Sequence, residues 1–298
     1  MKKILKMLLF IFPVLIFGKI TPINIIKPDF KGESHLFSAI MVSRFDRIYT
    51  IDQINNEIYL LNQKGSILNS TGGFGWKPGL FDKPTGISTP DGLNIFIADY
   101  NNQRIAIYDR QLNFLNVFPE NDNPDKQFYP IDIAVSQFGK FFILDDENIE
   151  ILAYSKEEVL QNRIGGIDYG EYALSNPIEM IINQDDELFV LENNRIISYS
   201  IYGKPLKIFS LPDTLTAQSF CLNDKYASVV TTENKLYIYN MVIKSGFYVE
   251  PGKMKLVENM TSCFVKNEKL YLMNRAGQIY IFNITDLTND KEVERFQK

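Results

Sequence analysis

A polar residue that follows a short apolar strand recurs at a near-constant interval through this chain. Successive members lie 40 to 47 residues apart. The members are Asp52, Asp99, Asp145, Glu192, Thr232 and Asn274. Each interval holds apolar runs of strand length separated by Gly, Pro, Asn and Asp, which are turn residues. A repeat of this length with four strands is the size of one propeller blade, so the spacing predicts an all-β chain.

The segment Gly79–Asp109 carries the repeat in its most complete form. It opens with Gly-Leu-Phe-Asp-Lys-Pro-Thr-Gly-Ile, turns at Pro-Asp-Gly, and closes with Asp-Tyr-Asn-Asn-Gln-Arg-Ile. These residues resemble an NHL repeat, whose usual form is Gly-x-Phe-x-x-Pro-x-Gly-Ile, an Asp-Gly turn and Asp-x-x-Asn-x-Arg-Ile. The resemblance covers about residues 37–283 and weakens in the fifth and sixth repeats. It implies a single six-bladed β-propeller of NHL type.

The first 18 residues have the arrangement of a signal peptide. Three lysines precede the apolar run Met7–Phe17, which Pro13 interrupts and which is short for a membrane span. No Cys follows the run, which excludes lipoprotein anchoring at this site. We therefore predict removal of residues 1–18 and a periplasmic or secreted mature chain. The alternative is an uncleaved N-terminal membrane anchor.

The sixth repeat shows only three clear strands before a charged tail over residues 286–298. A missing outer strand would leave an exposed sheet edge between the last and first blades. We predict that Ile20–Lys27 supplies this strand and closes the ring. Pro22 suits an outermost strand, because the N–H that proline lacks would face solvent there. Residues 19–298 are then one propeller domain.

The charge balance argues against nucleic acid as a partner. The formal net charge is -5 at pH 7, and removal of the three N-terminal lysines would make the chain more acidic. An acidic surface without a block of Lys and Arg repels phosphate backbones. We expect a monomer without a membrane span in its mature form. Its expected partner is a protein, peptide or glycan of the cell envelope.

Cysteine and histidine are scarce. Cys221 and Cys263 lie on the first strands of consecutive repeats, one position out of phase. Packed sheets lie about 10 Å apart, which is beyond the usual reach of a disulfide. A bridge would need the cysteine-bearing sides of the two strands to face each other, and the sequence leaves that open. His35 is the single histidine, which excludes a multi-histidine metal centre. We predict that His35 is an ordinary surface residue.

Acidic residues offer two kinds of role. The residues that mark the repeat are expected to accept hydrogen bonds from their own loops. Asp132 and Glu179 instead occupy the inner-strand position of Ala39 and Gly86, near the central channel. They could hold Ca²⁺ with Asn or carbonyl oxygens, as in lactonase-type six-bladed propellers, giving a Ca-dependent hydrolase or lyase. The Glu-Gly-Pro and Asn-Gly segments expected of that family are missing, and charges in a wet channel need no ligand.

Aromatic residues concentrate in loops that should open on one face of the propeller. They are Trp76, Phe81, Tyr100, Phe128, Tyr129, Tyr169 and Tyr172. Such residues can cover blade junctions, or they can anchor a peptide or sugar because their rings are rigid and amphipathic. We predict a non-enzymatic binding or scaffold module that uses this face and no cofactor. The alternatives are the Ca-dependent enzyme and a purely structural subunit of an envelope assembly.

Overall fold

The computed structural model describes residues 20–32, 34–119, 127–249 and 257–288. These residues form six antiparallel sheets of four strands each. The predicted all-β, six-bladed propeller is therefore confirmed. The proposed signal peptide and residues 289–298 of the charged tail lie outside the described residues. Within the ranges given above, no helix has the length and apolar character needed to cross a membrane.

The first three blades each follow the chain from an inner to an outer strand. An N-terminal strand, β1 (Asn24–Ile26), precedes them. The first blade comprises β2 (Phe37–Val42), β3 (Ile48–Asp52), β4 (Glu57–Leu61) and β5 (Ile67–Gly72). The second comprises β6 (Pro84–Ser88), β7 (Asn94–Asp99), β8 (Arg104–Asp109) and β9 (Phe114–Phe118). The third comprises β10 (Pro130–Val135), β11 (Phe141–Asp145), β12 (Glu150–Tyr154) and β13 (Leu160–Ile164).

The remaining blades keep this order until the last sheet. The fourth comprises β14 (Glu179–Ile182), β15 (Glu187–Leu191), β16 (Arg195–Ser200) and β17 (Pro205–Ser210). The fifth comprises β18 (Ala217–Leu222), β19 (Tyr226–Thr231), β20 (Leu236–Asn240) and β21 (Ser245–Val249). The sixth comprises β22 (Met260–Lys266), β23 (Lys269–Asn274) and β24 (Ile279–Asn283). A short helix, α1 (Ile284–Thr288), follows β24.

The core lies between neighbouring blades. Six apolar clusters fill the six junctions around the ring. The cluster between the last and first blades contains Tyr271 and Met273 of β23 with Ile40 of β2 and Ile26 of β1. Middle strands such as β11 are buried along their whole length because a neighbouring blade covers each face. The ring is thus continuous across the junction between the two chain ends.

The N-terminal strand β1 is the outer strand of the sixth sheet. Asn24 pairs with Ile281, Ile25 with Tyr280 and Ile26 with Ile279, in antiparallel register. Across the same junction, Lys266 Nζ of the sixth blade donates to the carbonyl of Ser43 in the first at 2.6 Å. That the stability of the ring depends on β1 stays a prediction.

A β-bulge in the first strand of five blades defines one equivalent position in all six. The residues at this position are Ala39, Gly86, Asp132, Glu179, Ser219 and Ser262. The same register corrects one marker of the repeat. Ala217 pairs with Thr231 as Pro130 pairs with Asp145, so Thr231 and not Thr232 is the fifth member. The prediction was wrong by one residue because the fifth blade has no acidic residue there.

Antiparallel connectivity gives the propeller two different faces. Tight turns between the first and second strands lie at one end of every blade, and so do those between the third and fourth strands of the first five blades; we call this end the turn face. The other end carries the loops between the second and third strands and the loops that lead into the next blade. We call this second end the loop face. The aromatic loops predicted from the sequence lie on the loop face.

Candidate functional site

Each acidic marker is a buried hydrogen-bond acceptor on the loop face. Asp99 is fully buried and accepts from the backbone N–H of Asp82, from Asn102 Nδ2 and from Arg104 Nε, each at 2.8 Å. Burial raises the pKa of Asp99 despite these donors. Equivalent bonds run from Leu36 N–H to Asp52, from Tyr129 N–H to Asp145 and from Ser175 N–H to Glu192. The marker therefore ties each incoming loop to its own blade.

Arg104 extends this tie to the loop that carries Trp76. Its Nη1 donates to the carbonyl of Trp76 at 2.8 Å and its Nη2 to the carbonyl of Leu80 at 2.8 Å. These bonds hold the backbone, yet Trp76 remains 73% exposed and Phe74 71% exposed. The guanidinium thus fixes a loop that presents two aromatic rings to solvent.

Arg195 repeats the arrangement in the fourth blade. It bonds to Glu192 through Nε, to the carbonyl of Glu171 at 2.9 Å and to that of Ala173 at 2.8 Å. The loop it holds contains a short 3₁₀ segment that begins at Ile167, a residue that is 93% exposed. The loops over residues 72–84 and 165–177 run from a Gly to a Pro at the same spacing, and the same kind of contact fixes each of them.

Tyr100 is held between the second and third blades. Its hydroxyl donates to Asp146 Oδ2 at 2.6 Å, and this bond, with burial as the second cause, raises the pKa of Tyr100 to about 12. The Tyr129 ring lies 5.5 Å away, and Lys83 Nζ lies 3.7 Å above the Tyr100 ring. Tyr100 and Tyr129 therefore form a fixed, partly exposed pair on the loop face.

The prediction that Phe81 and Phe128 contact a ligand is wrong. Phe81 and Phe128 are fully buried, because each ring packs at a blade junction, against Tyr108 and Phe118 respectively. They cannot contact a ligand in this conformation. They instead cover blade junctions, which is the alternative role that the sequence allowed for these loops.

Tyr169 and Tyr172 lie in the loop that Arg195 holds, and both are half-buried. The Tyr169 ring packs edge-on against Tyr199 at 5.9 Å, and the Tyr172 carbonyl accepts the Tyr199 hydroxyl. Phe74 and Ile167, which were not among the predicted contact residues, are far more exposed. Phe74 stands between two glycines, and that local pattern is the signal that could have identified it.

The two channel carboxylates connect blades. Asp132 accepts the N–H of Ile133 through Oδ1 and the N–H of Met180, on the fourth blade, through Oδ2, both at 2.8 Å. Glu179 in turn accepts the N–H of Phe220, on the fifth blade, at 2.7 Å. Each carboxylate therefore reaches from one inner strand to the backbone of the next.

Burial raises the pKa of both carboxyl groups, and the charge of Asp132 further raises the pKa of Glu179. A Ca²⁺ site needs roughly six to eight oxygen ligands. The described part of the chain contains no group of three or more His, Cys, Asp or Glu placed to hold a metal ion. Because Asp132 and Glu179 already accept backbone N–H groups, their geometry fits inter-blade contacts better than Ca²⁺ ligation.

His35 is not the surface residue that we predicted. Its Nδ1 lies 2.6 Å from Asp52 Oδ2 and its side chain is 11% exposed. The ring also packs against Phe30 and Phe37, with centroids 5.8 and 5.5 Å away. His35 therefore packs where the N-terminal segment meets the first blade.

Cys221 and Cys263 are buried free thiols in the cluster between the fifth and sixth blades. The Cys263 thiol donates to the carbonyl of Ser228 at 3.5 Å. Burial raises the pKa of both thiols. As observed, the pair contributes apolar packing to this junction and no covalent link.

Comparison with known proteins yields structural neighbours only. No family model and no curated protein sequence matches the chain. Selenomethionine-substituted virginiamycin B lyase from Staphylococcus aureus is 15% identical, with TM-score 0.58 over 83% of this chain and 80% of that chain.

Two further solved structures are similar. A catalytically inactive histidine-to-alanine variant of that lyase with quinupristin is 14% identical, with TM-score 0.60 over 87% of this chain and 99% of that chain. A chain of a nidogen–laminin complex is 13% identical, with TM-score 0.58 over 74% of this chain and 82% of that chain. At such identities the likeness shows the fold, which is the six-bladed β-propeller.

Proposed function

We propose that the chain is an exported, non-enzymatic binding module that engages a protein, peptide or glycan of the cell envelope through its loop face. The observation that carries the proposal is the exposed Phe74 and Trp76 pair on a backbone held by Arg104. Large aromatic side chains dominate binding energies, and a preformed loop loses little entropy when a ligand binds. Export rests on the composition of residues 1–18.

Other parts of the loop face support a composite binding surface. Ile167 is exposed on the second fixed loop, and Tyr100 with Tyr129 forms a braced aromatic pair between blades. Carboxylates such as Asp168 and Glu171 stand beside Ile167. This mixture of rigid apolar anchors with a polar rim is typical of protein and peptide recognition sites.

The Ca-dependent enzyme is the less supported alternative. The neighbours include a lyase that is inactive in its histidine-to-alanine variant, whereas the single histidine here, His35, contacts Asp52 and two phenylalanine rings. Asp132 and Glu179 bond to backbone N–H groups of the next blade. The nidogen chain solved in complex with laminin is a propeller neighbour that binds a protein partner, which is consistent with a binding role by analogy.

The proposal is tested by capture with matched variants. Wild type, Trp76→Ala and Phe138→Ala are immobilised and exposed to soluble envelope extract and to an array of envelope glycans. Phe138 is the control because it is 73% exposed, as Trp76 is, but lies on the turn face. We expect Trp76→Ala to lose a partner that wild type and Phe138→Ala retain. Equal capture by Trp76→Ala would contradict the proposal.

A further inference from the structure

Independently of the loop face, the turn face carries its own exposed apolar residues. Phe138, Val159 and Tyr202 are 73%, 60% and 75% exposed at the tips of turns in the third and fourth blades. Single exposed hydrophobic residues are ordinary on a protein surface, but three on adjacent turns at one end of the propeller require an explanation.

Cations accompany these side chains. Lys140 Nζ lies 4.5 Å from the centre of the Tyr202 ring, which joins the third blade to the fourth. Lys156 packs against the turn that holds Phe138, since a β-carbon added to Gly139 would lie 3.3 Å from Cγ of Lys156. Lys204 follows Tyr202 in the same turn. A lysine therefore lies beside Tyr202 and beside the turn of Phe138, and Val159 shares its turn with Lys156, Glu157 and Glu158.

The first two blades extend the pattern. Phe45 is 46% exposed, with the Arg44 guanidinium 4.8 Å and the Arg110 guanidinium 5.9 Å from its ring centre. The Arg110 carbonyl accepts the Tyr49 hydroxyl at 2.7 Å, which holds this turn against the first blade. Leu93, 43% exposed, adds an aliphatic side chain in the neighbouring turn. We call this surface the aromatic-basic patch: Arg44, Phe45, Leu93, Arg110, Phe138, Lys140, Lys156, Val159, Tyr202 and Lys204.

This part of the turn face has a net positive charge, whereas the whole chain is acidic. The turns of the first three blades and the outer turn of the fourth hold seven Lys and Arg and, with Asp109 at the end of β8, five Asp and Glu. Two of those carboxylates, Asp91 and Asp109, accept backbone N–H groups of their own turns. The whole chain has a net charge of -5. Acidic residues border this part of the face: Asp185 and Asp186 lie in the inner turn of the fourth blade, whose Gln184 carbonyl accepts Gln137 Nε2 of the third, and Asp224 lies in the inner turn of the fifth.

We propose that the aromatic-basic patch docks the propeller on a membrane surface that carries anionic headgroups. Aromatic and aliphatic side chains insert at the headgroup level, and each nearby Lys or Arg adds attraction to anionic lipid. The aliphatic Leu93 and Val159 favour lipid over an anionic glycan, because aliphatic side chains gain little from stacking on sugar rings. Docking by the turn face would leave Trp76 and the loop face directed away from the bilayer.

The first test is co-sedimentation of the full chain with two kinds of vesicle. One contains phosphatidylcholine alone and the other equal parts of phosphatidylcholine and phosphatidylglycerol. We expect binding to the anionic vesicles that falls with added salt, and at least about a tenfold weaker partition when Lys140, Lys156 and Lys204 are all changed to Gln. Changing Lys31, Lys77 and Lys235 to Gln removes the same charge from the loop face and should leave binding unchanged.

The second test uses the single tryptophan. Emission of native Trp76 should not change on vesicle binding, because it lies on the opposite face. In a Trp76→Phe background, Phe138→Trp should show a blue shift with anionic vesicles. Absence of vesicle binding, equal binding by both charge variants, or a shift of native Trp76 would overturn the proposal. Capture by heparin beads without vesicle binding would also overturn it and would indicate a soluble polyanion.

Discussion

A β-carbon on Gly86 would lie 2.2 Å from Oδ1 of Asp132 and 2.8 Å from its Cα. These residues occupy the same position on the inner strands of the second and third blades. Asp132 in turn bonds to Met180 and Glu179 to Phe220, so close approach continues around half of the channel. This position holds Gly, Asp and Glu in the second, third and fourth blades, and in each of them it forms a contact with the next blade.

Gly86→Ala should destabilise the propeller. The added methyl group would collide with the Asp132 backbone, which cannot rotate away, and overpacking of this kind costs about 1–3 kcal/mol. The measurement is the free energy of unfolding in urea. Gly166→Ala is the control, because the nearest atom to its β-carbon is Glu150 Oε2 at 3.5 Å and its φ of -68° suits alanine. Equal stability of the two variants would contradict the close approach.

The contribution of Glu179 to stability should fall as the pH rises above about 4, where the side chain of an unfolded Glu titrates. Burial, and then the charge of Asp132, raises the pKa of Glu179 in the folded state. The folded chain therefore holds a proton that the unfolded chain has released, and stability falls until the pH passes the folded pKa. Glu179→Gln cannot ionise and should lose less stability than wild type over this interval.

The measurement is urea unfolding of wild type and Glu179→Gln at several pH values between 4 and 9, a range chosen to bracket an ordinary and a raised carboxyl pKa. The free-energy difference between the two proteins should shift in favour of Glu179→Gln as the pH rises. Parallel curves would show that Glu179 titrates normally and that its carboxylate is not desolvated.

The repeat pattern was sufficient to predict the blades, because middle strands are buried on both faces and leave long apolar runs. It was insufficient for outer strands such as β21, where one face is exposed and the pattern weakens. The N-terminal strand was predictable from the missing strand of the sixth repeat. Whether the ring needs it depends on packing energy, which the sequence pattern does not report.

The loop face was predictable as a region but not residue by residue. Phe81 and Trp76 are aromatic residues of the same loop, yet Phe81 is buried at a blade junction and Trp76 is 73% exposed. That difference depends on which ring packs against Tyr108, a residue distant in sequence, at the junction of the first two blades. His35 was mispredicted for the same reason, since its partner Asp52 is distant in sequence.

Removal of the contact made by β1 should destabilise the ring. Ile26 is 2% exposed in the cluster between the sixth and first blades, so Ile26→Ala should cost about 2–5 kcal/mol. Ile23→Ala is the matched control, because Ile23 is 49% exposed. Deletion of residues 20–27 should lower the melting temperature further. An unchanged melting temperature after this deletion would show that the strand is dispensable.

Ca²⁺ at millimolar concentration should leave the melting temperature unchanged. A ligand that binds only the folded state stabilises it by mass action, so a functional site would reveal itself as a rise. Asp132 and Glu179 are engaged with Met180 and Phe220 and should offer no such site. A rise that disappears when Asp132→Asn and Glu179→Gln are combined would favour the Ca-dependent enzyme instead.

Binding through the rigid aromatic loop is tested most directly by the dissociation constant of a purified captured partner for four proteins. These are wild type, Trp76→Ala, Arg104→Lys and Phe138→Ala. Lysine keeps a charge near Asp99 but cannot span the carbonyls that Arg104 holds, so the loop should lose its fixed shape. We predict that Trp76→Ala weakens binding by about 1–3 kcal/mol, that Arg104→Lys weakens it also, and that Phe138→Ala binds as wild type does. Equal dissociation constants for wild type and Trp76→Ala would contradict the assignment of the loop face as the binding site.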